Sequence, residues 1–110
     1  MPTMTPYQKL HRIRERHVRV PALRVMAARP NGYVSTSDLI AELEEQFKPT
    51  GEDAEILDNR NDSKFSQIVR NLKSHQTSST NIIQKGYAEV VGDGFRITGT
   101  GRQFIAQLPE

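Results

Sequence analysis

The sequence predicts an α+β fold, a small helical domain carrying one antiparallel β-hairpin. Three observations point there. Two stretches near residues 36–47 and 63–75 repeat apolar side chains at helical spacing behind capping residues. Two extended runs, Tyr87–Val91 and Phe95–Thr98, flank a Gly92-Asp93-Gly94 turn. The length of 110 residues, with 35% hydrophobic and 25% charged residues, suits one folded domain and excludes a disordered, charge-dominated tail.

Thr5 can cap a first helix, with Pro6 at its opening position and Gln8 closing a capping box. That helix is expected to reach about His17, with Leu10, Ile13 and His17 on one face. Pro21 is read as the start of a second helix, Ala22 to Ala28, ended by Pro30. Asn31-Gly32 makes a turn, and Tyr33-Val34 a short extended piece. Ser35-Thr36-Ser37-Asp38 caps the next helix, which turns Leu39, Ile40, Leu43 and Phe47 inward and stops before Pro49. An acidic loop covers residues 48–62. Asp62 or Ser63 then caps a helix with Phe65, Ile68, Val69 and Leu72 in one buried stripe. Its outward stripe is Ser63, Gln67, Arg70 and Ser74, flanked by Lys64 and Asn71. Asn81 to Lys85 forms a helical turn ended by Gly86. After the hairpin, Thr98 or Thr100 starts a last helix bearing Phe104, Ile105 and Leu108.

Two helices joined by a connection and followed directly by a hairpin describe a winged helix-turn-helix. Residues 1–19 are read as an added N-terminal basic helix and residues 20–110 as the winged-helix domain.

The net charge of +2 hides a sorting by segment. Residues 1–30 hold seven basic residues against Glu15, residues 31–62 hold nine acids against Lys48 and Arg60, and residues 63–110 hold six basic residues against three acids. No acid occurs between Ser63 and Tyr87. Such sorting suits a polyanion partner for part of the surface, although solvated helix faces would look the same. No apolar run is long enough for a membrane span. The N-terminal residues lack the apolar core of a secretion signal, so a cytoplasmic address is expected.

Enzyme readings find little support. With no Cys, sulfur-ligated zinc and thiolate chemistry are excluded. His11, His17 and His75 form no His-x-x-x-His pair. Asp58-x-Arg60-x-Asp62 departs from a calcium loop at its third position and lacks the required glycine. Gly92-x-Gly94 and Gly99-x-Gly101 lack the third glycine of a dinucleotide fingerprint. Neither metal nor cofactor is expected, and no catalytic residue is assigned.

The segment Arg60-Asn61-Asp62-Ser63-Lys64-Phe65-Ser66-Gln67-Ile68-Val69-Arg70-Asn71-Leu72-Lys73-Ser74-His75, with Gly86-Tyr87-Ala88 and Phe95-Arg96-Ile97-Thr98-Gly99-Thr100-Gly101-Arg102, resembles winged-helix domains attached to bacterial restriction endonucleases of the HNH-type, Mrr-like and methyl-directed kinds. The resemblance spans about residues 20–108. It implies a reader of double-stranded DNA, in some relatives one that senses a modified base, serving a nuclease domain in a longer protein. This chain carries no nuclease motif and no Trp. A stand-alone transcriptional regulator and a protein-binding winged helix are the alternatives.

On this reading Arg70 reaches guanine O6/N7 or clamps a phosphate, unless an intramolecular carboxylate holds it. The Gln67 and Asn71 amides match the adenine edge, or are polar filler on a wet face. Lys64, Lys73, Ser74 and His75 suit phosphates, with His75 equally placed to face the helix dipole. Arg60 and Asn61, just ahead of Ser63, lie where a loop meets the groove edge; Arg60 could instead pair with Asp58 or Asp62. Arg96 lies on the wing and Arg102 near the last helix start, while Asp93 at the wing tip repels phosphate. Lys9, Arg12, Arg16 and Arg19 form a basic stripe that extends a DNA footprint or docks on the acidic helix Asp38–Glu45 of a second copy, giving a homodimer.

Overall fold

The computed structural model describes residues 13–48, 64–74 and 79–108. Helix α1, Glu15–Ala27, starts where the Arg14 N–H donates to His17 Nδ1 at 2.8 Å and the His17 N–H donates back to the Arg14 carbonyl at 2.9 Å. The expected break at Pro21 is absent: Pro21 lies inside one continuous helix. A proline there removes its bond to the His17 carbonyl and disfavours a helix by about 3 kcal/mol. Val18, Ala22, Leu23, Val25 and Met26 are all buried by the same helix. At about 1.5–3 kcal/mol for each large apolar side chain, that burial outweighs the local penalty. Residues 5–12 of the expected first helix lie outside the described residues.

A turn over Pro30–Gly32, with Asn31 left-handed at φ 59°, leads into strand β1, Tyr33–Ser35. Helix α2, Thr36–Phe47, is capped as its sequence predicts, the Ser35 hydroxyl oxygen accepting the Asp38 N–H at 3.1 Å. Leu39, Ile40 and Leu43 are buried, and Phe47 packs on Phe65 at 5.7 Å between ring centres. The acidic loop beyond Lys48 lies outside the described residues, as do Asp62 and Ser63.

Helix α3 spans Lys64–Ser74. The turn from Asn81 closes with the Lys85 N–H on the Asn81 carbonyl at 3.0 Å. Strands β2, Ala88–Val91, and β3, Gly94–Ile97, form the hairpin, whose turn needs the positive φ of 58° at Gly92. Helix α4, Gly99–Ala106, is capped by Thr98, whose hydroxyl oxygen accepts the Gly101 N–H at 3.0 Å. Ahead of β2, Tyr87 stacks on Phe104 of α4 at 4.3 Å.

The sheet has three antiparallel strands in the order β1-β3-β2, with Val34 opposite Phe95 and Glu89 opposite Arg96. The sequence reading contained the hairpin but not the pairing of β1 with β3. Val18, Leu23, Met26, Val34, Leu43, Phe65, Val69, Leu72, Ile82 and Phe95 meet in one core, each at most 1% exposed. The architecture is α+β, with four helices and a small three-stranded antiparallel sheet, compatible with the winged-helix expectation. Among the described residues no helix is long and apolar enough to cross a membrane.

Candidate nucleic-acid interface

The orientation of α3 decides what its polar residues can touch. Phe65, Ser66, Val69 and Leu72 are buried, whereas Ile68 is only half-buried. At about 100° per residue these four span an arc centred on Val69. The buried face is therefore turned toward Ser66 and away from Ile68, relative to the stripe the apolar spacing suggests. The direction pointing straight out from the core falls between Gln67 and Asn71.

Those two amides are joined: Gln67 Nε2 donates to Asn71 Oδ1 at 2.9 Å, an i, i+4 pair along the crest of the helix. Both are half-buried rather than fully open, and Ser74 is exposed one turn further on. Arg70 moves from the expected outward stripe to a flank. It is half-buried with its Nε enclosed, and it lines a recess of about 130 Å³ with Thr36, Lys73, Ser74 and Phe95. The Lys73 ammonium stands 5.7 Å from the centre of the Phe95 ring, a cation–π distance. Lys64 opens the helix. Arg60, Asn61, Ser63 and His75 lie outside the described residues.

The hairpin next to α3 is fixed to the start of α2. The Asp93 carbonyl accepts the Thr36 N–H at 3.1 Å and also the Thr36 hydroxyl, and its carboxylate accepts the Tyr33 hydroxyl at 3.0 Å. Arg96 is held by the facing Glu89 at 2.8 Å. The bond to Asp93 first, then desolvation and the charges of Asp93 and Asp38, raise the Tyr33 pKa above its ordinary 10.0. Raising it favours the neutral phenol in the folded chain, so the resulting stability is complete below about pH 10 and is lost as pH rises through the raised value. An alkaline absorbance titration is expected to show a late-ionising tyrosine that Asp93→Asn brings back toward 10.0.

Other basic residues lie elsewhere. Arg24 and Arg102 line a groove of about 500 Å³ with Ala27 and Ile105, between α1 and α4. Of the basic stripe, Arg16 is exposed and Arg19 donates to the Thr80 hydroxyl at 3.1 Å, while Lys9 and Arg12 lie outside the described residues. The acidic face of α2 is already engaged within the chain, Arg29 pairing with Glu42 at 3.2 Å and Asp38 at 3.6 Å. Among the described residues no group of three or more His, Cys, Asp or Glu could hold a metal ion.

Two contributors escaped the sequence reading. Thr36 was credited only as part of a capping run, yet it walls the recess beside Arg70. Asn81, fully buried, donates to the Leu72 carbonyl at 2.8 Å and to Glu15 Oε2 at 3.3 Å, tying the end of α3 to α1. Comparison with protein-family models, curated proteins and solved structures returned no match.

Proposed function

We propose that this chain is a winged helix-turn-helix module that binds double-stranded DNA, with α3 entering the major groove. The observation that carries the reading is the outer surface of α3: an amide pair at the crest, a cationic flank, and no carboxylate between Ser63 and Tyr87. The order α1-β1-α2-α3-β2-β3-α4 and the sheet order β1-β3-β2 support the winged-helix assignment.

The bond between Gln67 and Asn71 uses one amide N–H and one carbonyl oxygen. The pair also carries the Gln67 carbonyl oxygen and the Asn71 amino group, an acceptor and a donor. Adenine offers the complement in the major groove, its N6–H donor and N7 acceptor. Exchanging O and N in both amides leaves the same donor–acceptor set, so the match does not depend on which way they face. The resemblance of residues 60–75 and 86–102 to restriction-associated domains supports a role in targeting a nuclease supplied by another domain, with modified bases among the targets. A stand-alone regulator uses the same surface.

Selection from a randomised duplex pool, followed by mobility-shift titration, tests this. Wild type is expected to enrich an adenine-containing site. Gln67→Ala with Asn71→Ala should flatten preference at that position, a loss of about 1–3 kcal/mol of discrimination. Parallel duplexes with N6-methyladenine or 5-methylcytosine report modification sensing. Failure to shift any duplex at low salt, alongside salt-insensitive capture of a protein, would replace the DNA reading with a protein-binding one.

A further inference from the structure

We propose that the recess between α3, the start of α2 and β3 is a phosphate-binding site. This deepens the DNA reading and rests on it for the source of the phosphate. Arg70 and Lys73 bring two positive charges to one small cavity, and the residues that line it, Thr36, Arg70, Lys73, Ser74 and Phe95, include no carboxylate. Two like charges facing a shared recess repel, and an oxyanion between them converts that repulsion into attraction. The volume of about 130 Å³ has room for a tetrahedral oxyanion and too little for a nucleoside.

The parts divide the work. Enclosure of Nε directs the Arg70 side chain so that its terminal nitrogens are the ones available to fork onto two phosphate oxygens. Lys73 is stationed by the Phe95 ring and contributes a point charge. The exposed Ser74 hydroxyl supplies a neutral donor at the mouth. Thr36 cannot donate, because its hydroxyl proton goes to the Asp93 carbonyl; it serves as a wall. The Asp93 carboxylate, the nearest acid on the hairpin, is occupied by Tyr33. Base reading and backbone holding thus fall to different faces of α3: Gln67 and Asn71 on the crest, Arg70 and Lys73 on the flank.

The full chain with Arg70→Gln and Lys73→Gln is titrated against the selected duplex over a range of salt concentrations, and its thermal melting is followed with and without inorganic phosphate. If a duplex phosphate fills the recess, the log–log salt slope falls by about one while base preference is retained. If a free phosphate fills it, the slope is unchanged but phosphate raises the melting temperature of wild type and not of the variant. No change in either measurement overturns the site. A wild type that binds no duplex overturns the DNA reading alone, since the melting arm still tests the recess. Ser74→Asp, at an exposed position, gives the same test without removing the half-buried cations, should the double variant fail to fold; Arg70→Lys with Lys73→Arg is expected to restore the effect in part.

Discussion

Gly94→Ala is expected to destabilise the fold by about 3–5 kcal/mol, against the total of about 5–15 kcal/mol that holds a domain of this size together. Gly94 pairs with Ser35 of β1 on one side and Val91 of β2 on the other. A methyl group there would overlap the Val34 carbonyl oxygen and stand 2.7 Å from both Ser35 Cα and the Tyr33 hydroxyl oxygen. Two of those three atoms are backbone, so no rotamer change relieves the overlap; β1 must part from β3. Parting them also breaks the contacts of the hairpin turn with Thr36 and Tyr33. Gly99→Ala is the matched control, since a Cβ at that first residue of α4 meets nothing within 4 Å. Its urea midpoint is expected to stay within about 0.5 kcal/mol of wild type. Equal midpoints for the two variants would refute the pairing of β1 with β3.

Asn81→Leu should cost about 3–4 kcal/mol with little change in side-chain volume. The amide is used at both ends. Its nitrogen donates to the Leu72 carbonyl and Glu15, and its oxygen accepts the Ile83 N–H at 2.7 Å and the Gln84 N–H at 3.3 Å. Leu72 is among the last four residues of α3, whose carbonyls have no partner inside the helix. Leucine leaves that carbonyl and the Ile83 N–H buried without bonds, at about 1–3 kcal/mol each. Asn81→Asp separates hydrogen bonding from shape. It keeps the acceptor but sets a carboxylate against the Leu72 carbonyl and the Glu15 carboxylate. Burial and like charge raise the new group's pKa above its unfolded value of about 3.9. Its folded state is therefore favoured at low pH and disfavoured as pH rises through the raised value, the reverse of an ordinary paired aspartate. Denaturation at pH 7 and pH 4 is expected to show the Asp variant weaker at pH 7 and recovering part of the loss in acid. A flat profile would contradict the burial of this amide.

Local chemistry made the ends of α2 and α4 readable: Ser35 and Thr98 accept the N–H groups that their capping patterns assign to them. Long-range effects were not readable. Pro21 looks like a boundary because the rule against interior proline is local, whereas its neighbours are held helical by a core assembled from the whole chain. Strand β1 has only three residues, too few for an alternating pattern, and it exists through its pairing with β3. Along α3 the apolar period gave the correct face to within roughly half a residue's rotation. It counted Ile68 as inside and gave Ser66 no place there, which is the difference that carries Arg70 from crest to flank. The Gln67–Asn71 pair follows from their spacing of four. The recess beside Arg70 does not, since its other walls come from Thr36 and Phe95, distant in sequence. For Asn81, nothing around it in a Ser/Thr-rich stretch marks it as a tie between helices.

The anchoring of Asp93 bears on how such a protein can be re-engineered. Both the carbonyl and the side chain of this residue are spent inside the domain, on Thr36 and Tyr33. Inserting residues between Gly92 and Gly94 would therefore not lengthen a free arm; it would unclip the ribbon from the scaffold beneath it. Target choice in this chain is better altered by exchanging side chains on the exposed ridge than by grafting a longer loop.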